Sequence, residues 1–121
     1  MDIKAMLFLF LILFTAILNS ENYDYVGKYV DGLAIVEQNG KYGFINRDGV
    51  EVVPVKYDDV SYFSEGLARV ELNKKCGYID KSGNEVIPIK YDVAWSFSKG
   101  VADVELNGKY LRIDKSGKVI E

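Results

Sequence analysis

One interval runs through the chain and limits what it can fold into. Gly32, Gly66 and Gly100 stand 34 residues apart, as do Tyr23, Tyr57 and Tyr91, and Asp24, Asp58 and Asp92. The same 34-residue step links Gly49, Gly83 and Gly117, links Ile45, Ile79 and Ile113, and links Pro54 to Pro88. So many positions on one interval define an internal repeat, in which each unit alone has too little surface to bury and stacking supplies the core. The units run 23–56, 57–90 and 91–121, and the third is about three residues short of a period.

Each unit carries β signals. Ala68, Val70 and Leu72 alternate with Leu67, Arg69 and Glu71, and unit three repeats the division with Ala102, Val104 and Leu106. This predicts a strand whose Ala-Val-Leu side faces the core. Asn39-Gly40 and Asn107-Gly108 follow as hairpin turns, because a type I′ turn needs positive φ at both central residues. Asn73-Lys74 holds the same place in unit two and is the poorer turn. The second strand is 42–46, 76–80 or 110–114, and its Gly43 or Gly77 marks the close approach of another backbone or a large ring.

A third strand, 50–57 or 84–91, places Val53, Val55 and Tyr57 on one face, with Ile87, Ile89 and Tyr91 matching. Pro54 and Pro88 cannot donate to a ladder, so this strand is expected at an edge or broken. The remainder, such as 58–66, reads as a connector in which Tyr29, Phe63 or Phe97 plugs the space between units. The expected fold is all-β: three stacked antiparallel β-meander repeats of about 34 residues, preceded by an N-terminal apolar helix. In unit three Leu111 replaces the glycine, Arg112 replaces Phe44 or Tyr78, and the Pro and the closing Tyr-Asp are missing. That reads as a C-terminal cap, the other reading being a chain cut short.

Ala5 to Leu18 is apolar at every position except Thr15. Fourteen residues fall short of the roughly 20 that span a bilayer and suit the core of a signal peptide. Residues 1–20 are thus expected to be a signal peptide cleaved near Ser20 or a membrane anchor over 5–18, leaving 21–121 as the exported β-repeat domain. Membrane contact is expected only through that segment. No Cys follows the run to take a lipid.

Composition removes several function classes. The net charge of −3, without a basic stripe, argues against a nucleic-acid partner. There is no His, so His-based nucleophilic triads and His-ligated metals are out. No Gly-rich phosphate loop precedes a helix. The single cysteine, Cys76, allows no internal disulfide and reads as a half-buried filler. Asp80-Lys-Ser-Gly and Asp114-Lys-Ser-Gly lack the clustered carboxylates of a calcium cage and read as Asx turns. Glu37, Glu71 and Glu105 form either a carboxylate row or a solvated edge with Lys neighbours, and the second reading is preferred. No catalytic, cofactor or metal residue is expected.

Phe63-Ser-Glu-Gly-Leu-Ala-x-Val, Gly77-Tyr-Ile-Asp-Lys-x-Gly and Val86-Ile-Pro-x-x-Tyr-Asp together resemble the WG-repeat family, over residues 23–121. The namesake dipeptide stands here as Tyr42-Gly43, Cys76-Gly77 and Tyr110-Leu111. The resemblance implies a bacterial-type β-repeat array of exported or surface proteins, with no known chemistry and no catalytic residues to carry over. Asn39 to Phe44 is also faintly similar to one hairpin of choline- and glucan-binding repeats.

Trp95 has no aromatic counterpart at Gly27 or Ser61. With Tyr25, Tyr62 and Tyr91 it forms either an exposed aromatic platform or packing within the connectors. The candidate binding surface is therefore Tyr25, Tyr62 and Trp95. The expected function is non-catalytic protein–protein contact, the alternative being a cell-envelope glycan.

Overall fold

The computed structural model describes residues 22–121, and the expected N-terminal helix and signal or anchor over 1–20 lie outside the described residues. Within the described residues, eleven strands form three antiparallel sheets in chain order. Sheet one is β1 (Tyr25–Val30), β2 (Leu33–Gln38), β3 (Lys41–Asn46) and β4 (Glu51–Tyr57), paired in that order. Sheet two is β5 (Asp59–Val60), β6 (Ala68–Leu72), β7 (Lys75–Ile79) and β8 (Glu85–Tyr91). Sheet three is β9 (Val93–Ala94), β10 (Val101–Leu106) and β11 (Lys109–Asp114). The array is all-β, and among the described residues there is no helix.

The segment expected to be a connector contributes the first strand of each sheet. Its repeated glycine closes a hairpin of its own: Asp31-Gly32, Glu65-Gly66 and Lys99-Gly100 all have positive φ. Asn39-Gly40 and Asn107-Gly108 take the expected left-handed pair, and Asn73-Lys74 does too, with Lys74 held at φ 69°. A lysine in that region costs on the order of 1 kcal/mol that glycine avoids.

The proline-bearing strand is both an edge strand and an irregular one. Tyr42 pairs with Tyr57, but Phe44 pairs with Val53, so four residues of β4 span what two residues of β3 span. Cys76, Tyr78, Ile87 and Tyr91 repeat this bulge in sheet two. The bulge corrects one expected face. Val53 and Tyr57 pack with Phe44, whereas Val55 packs with Ala34, Val36 and Ile45 on the opposite side. Ile89 is likewise separated from Ile87 and Tyr91. Extra residues in a bulge break the period of two, so alternation cannot be counted through it.

The bulge also accounts for the glycine. A Cβ on Gly43 would lie 2.4 Å from the Val53 carbonyl oxygen, and one on Gly77 would lie 2.6 Å from that of Ile87. Such contacts are shorter than any real Cβ tolerates, so the bulged backbone passes where a side chain would be. Glu51 and Glu85 brace the same place. Their carboxylates accept the Val55 amide at 2.9 Å and the Ile89 amide at 3.0 Å.

Burial is two-sided, which corrects the expectation of a single inner face. Leu33, Phe44, Val53 and Tyr57 of sheet one pack against Val60, Phe63, Ala68, Val70 and Ile79 of sheet two. Leu67, Cys76, Tyr78, Ile87 and Tyr91 on the other face of sheet two pack against Ala94, Phe97, Ala102, Val104 and Ile113 of sheet three. Phe63 and Phe97 are the interlayer plugs, meeting Phe44 at 4.9 Å and Tyr78 at 4.8 Å between centroids. The overlap is staggered: β3 and β4 lie against β5 and β6, and β7 and β8 against β9 and β10. The outer face of each sheet's first two strands is therefore left open.

Candidate functional site

On sheet three the outer face carries exposed aromatic residues. Trp95 follows β9 directly, and its amide donates to the Asp103 carbonyl at 3.1 Å, which sets it on the outer face of sheet three. On the same face Tyr110 stands across from Glu105, and Arg112 across from Asp103. Trp95 and Tyr110 are 48 % and 61 % exposed, with ring centroids 6.2 Å apart and planes tilted by 46°. Beside the rings, Arg112 Nε donates to Asp103 Oδ1 at 3.0 Å and Nη1 to Glu121 Oε2 at 3.0 Å. Arg112 holds the Asp103 carboxyl below its ordinary range, and a hydrogen bond to the Asp103 carboxylate pushes the Tyr110 hydroxyl up. The result is an aromatic pair rimmed by a charged network, a composition suited to binding and without a nucleophile.

The other two candidates are also exposed, Tyr25 at 52 % and Tyr62 at 39 %, and do not join this pair. The Tyr25 ring lies alongside Gly27, the position that Trp95 holds in unit three. Tyr62 is one residue out of step with that row and has Lys28 Nζ at 6.0 Å from its ring centre. All three lie along the edge formed by β1, β5 and β9, spaced rather than stacked. Tyr91, grouped with them as a platform, is buried instead, because it pairs with Cys76 and packs beneath sheet three. Tyr110 was missed because its repeat position, shared with Cys76, reads as a half-buried filler. The signal was the loss of the Tyr-Asp that covers the equivalent residue elsewhere.

The remaining motifs have structural roles. Asp80 Oδ1 accepts the Ser82 and Asn84 amides at 2.9 Å, and Asp114 Oδ1 accepts those of Ser116 and Lys118 at 2.9 and 3.0 Å. These are Asx turns. The Cys76 thiol is buried, 3.8 Å from Arg69 Nη1, and burial pushes its pKa up, away from a reactive thiolate. Glu71 is half-buried and stands across from Asp59 and Cys76, with no lysine opposite. Among the described residues no group of His, Cys, Asp and Glu is placed to hold a metal ion.

The family of WG-containing repeats matches residues 22–42, 42–76 and 77–110. The chain belongs to that family. The matched unit 42–76 starts in β3 of sheet one and ends in β7 of sheet two, so a WG repeat in sequence straddles a junction between sheets. Its namesake dipeptide lies at that junction. The glycine admits the bulged strand, and the residue before it, Tyr42 or Cys76, pairs with the following unit's first tyrosine. Neither a curated protein nor a solved structure matches the chain.

Proposed function

We propose that this WG-repeat protein is an exported, non-catalytic module that binds a protein partner through the outer face of its third sheet. The observation that carries the reading is the exposed Trp95–Tyr110 pair at 6.2 Å, in which Tyr110 holds the place that in sheet two belongs to Cys76, buried beneath sheet three. A face built to receive a β layer, here bearing aromatic rings and an Asp103–Arg112–Glu121 network, suits another protein's side chains. Export rests on the apolar run from Ala5 to Leu18. A few such contacts give affinities of about micromolar strength.

The second reading, an envelope glycan, is favoured by the same two rings. Their 46° tilt offers no common plane to the flat face of a sugar, which places it second. The test offers the immobilised full chain soluble envelope proteins in one arm and purified wall glycan in the other. Retention of a protein that Trp95→Ala abolishes, at an unchanged melting temperature, supports the first reading. Retention of glycan alone replaces it with the second, and retention that survives Trp95→Ala removes the site.

A further inference from the structure

The two junctions inside the chain repeat one arrangement. Lys41, just after the first Asn-containing turn, reaches forward to Asp58, and Asp58 also accepts the Asn73 amide at 2.8 Å. Lys75 does the same to Asp92, which accepts the Asn107 amide at 2.8 Å. Beside each ion pair, Tyr57 pairs with Tyr42, and Tyr91 with Cys76. A junction thus has a tail half, lysine plus the next residue on the strand, and a head half, a Tyr-Asp clamped on the following hairpin.

Each half also occurs once without its complement among the described residues. Asp24 is held as Asp58 and Asp92 are: its amide donates to the Glu37 carbonyl at 2.8 Å, and its Oδ2 accepts the Asn39 amide at 2.9 Å. No described lysine reaches it. Lys109 faces Leu106 across the Asn107-Gly108 turn, as Lys75 faces Leu72, and no described carboxylate meets it. Tyr110 beside it is 61 % exposed, whereas its counterpart Cys76 is 3 % exposed.

We propose that sheet three and sheet one of separate copies dock head to tail, with Tyr23-Asp24 of one copy seated on Lys109 and Tyr110 of the next. The charges are complementary, and both halves are already held in the geometry that the internal junctions use. Leu111 narrows the choice of occupant. It stands where Gly43 and Gly77 let a proline-bulged backbone pass, so a strand of the β4 or β8 kind cannot seat there. The Tyr23-Asp24 of a second copy, preceded by Asn19-Ser-Glu-Asn22 without proline, needs pairing only as far as Tyr110. Such a contact is heterologous and open-ended, so copies add at both ends.

This rests on the reading of the chain as a protein-contact module but not on Trp95, whose counterpart Ser61 lies outside the internal junction core. The test is sedimentation velocity of the full chain in non-ionic detergent. The wild type should grow with concentration beyond a dimer. Lys109→Glu sets like charges together, and Asp24→Asn removes the head charge while its amide oxygen still accepts from Asn39. Lys109→Glu should weaken association by about tenfold or more, and Asp24→Asn should weaken it in the same direction. Mixed in equal amounts they share one intact head and one intact tail, so the mixture should form dimers that do not grow. If Asp24→Asn lowers the melting temperature, Lys109→Glu added to wild type replaces that arm and should terminate growth. A monomeric wild type, association that survives Lys109→Glu, or a mixture that stays monomeric overturns the proposal. Trp95→Ala should leave the growth unchanged, so self-association and partner capture fail separately.

Discussion

Sheets two and three come from the same repeat and differ where one supports a successor and the other does not. In sheet two Gly77 lies under the bulge of β8, Glu85 braces that bulge, and Cys76 is closed over by Tyr91. In sheet three Leu111 replaces the glycine and packs into the cluster it shares with sheet two, Tyr110 stands in the open, and Arg112 takes the place of the buried Tyr78. Only short pairings such as Ile113 with Val119 flank β11 on that side. The difference shows what the dipeptide is for. The glycine is required where a bulged strand crosses it, and the residue before it is buried where a following tyrosine covers it.

The largest effect should come from the layer covered on both sides. Ile79 is fully buried between sheets one and two, so Ile79→Asp strands a charge there at a cost of several kcal/mol, against a total of roughly 5–15. Cooperative melting in urea should be lost. Glu71→Ala, on the half-open face of the same sheet, should stay within about 0.5 kcal/mol of neutral.

Next in size is the glycine itself. Gly77→Ala puts a methyl group 2.6 Å from the Ile87 oxygen and should cost about 3 kcal/mol, because backbone must move. Leu111→Gly, with no bulge above it, should cost only about 1–2 kcal/mol of lost packing. Equal costs in urea melts would dissolve the distinction between the two sheets.

How far the sequence disclosed this follows from what periodicity can carry. The 34-residue interval, the Asn-Gly turns, the Ala-Val-Leu core face and the close backbone approach at Gly43 and Gly77 are local signals, and all were readable. The reversal of Val55 and Ile89 was not, since residue counting fails inside a bulge. Two-sided burial was half visible. Phe44 and Tyr78 lie opposite Ile45 and Ile79, and apolar residues on both faces of a strand mark a sheet covered on both sides. Trp95, Tyr25 and Tyr62, named from the sequence, are exposed in the structure. The approach of Tyr110 to Trp95 joins residues on two strands that flank β10 and leaves no trace in spacing.

A smaller effect concerns the turn. Lys74→Gly gives unit two the Asn-Gly pair that unit three has, removes the left-handed lysine, and should stabilise by about 1 kcal/mol in thermal melts. Smaller again are the junction ion pairs. Lys41 and Lys75 hold the Asp58 and Asp92 carboxyls below their ordinary range. The stabilisation is therefore complete above the unfolded value of about 3.9 and is lost as pH falls through the lower folded values. Lys75→Ala should return the Asp92 titration, followed by carboxyl NMR, towards the ordinary range and leave Asp58 where it was.

The most direct test of the layered account is residue-resolved hydrogen exchange of the native chain. Sheet two, covered on both faces, should hold the slowest amides, in β6 and β7 at Val70, Tyr78 and Ile79. Tyr110 of β11, whose amide points to the open edge of sheet three, should exchange distinctly faster. If the Tyr110 amide is protected as strongly as those of β7, the third sheet is covered like the second, and the contrast between them does not exist.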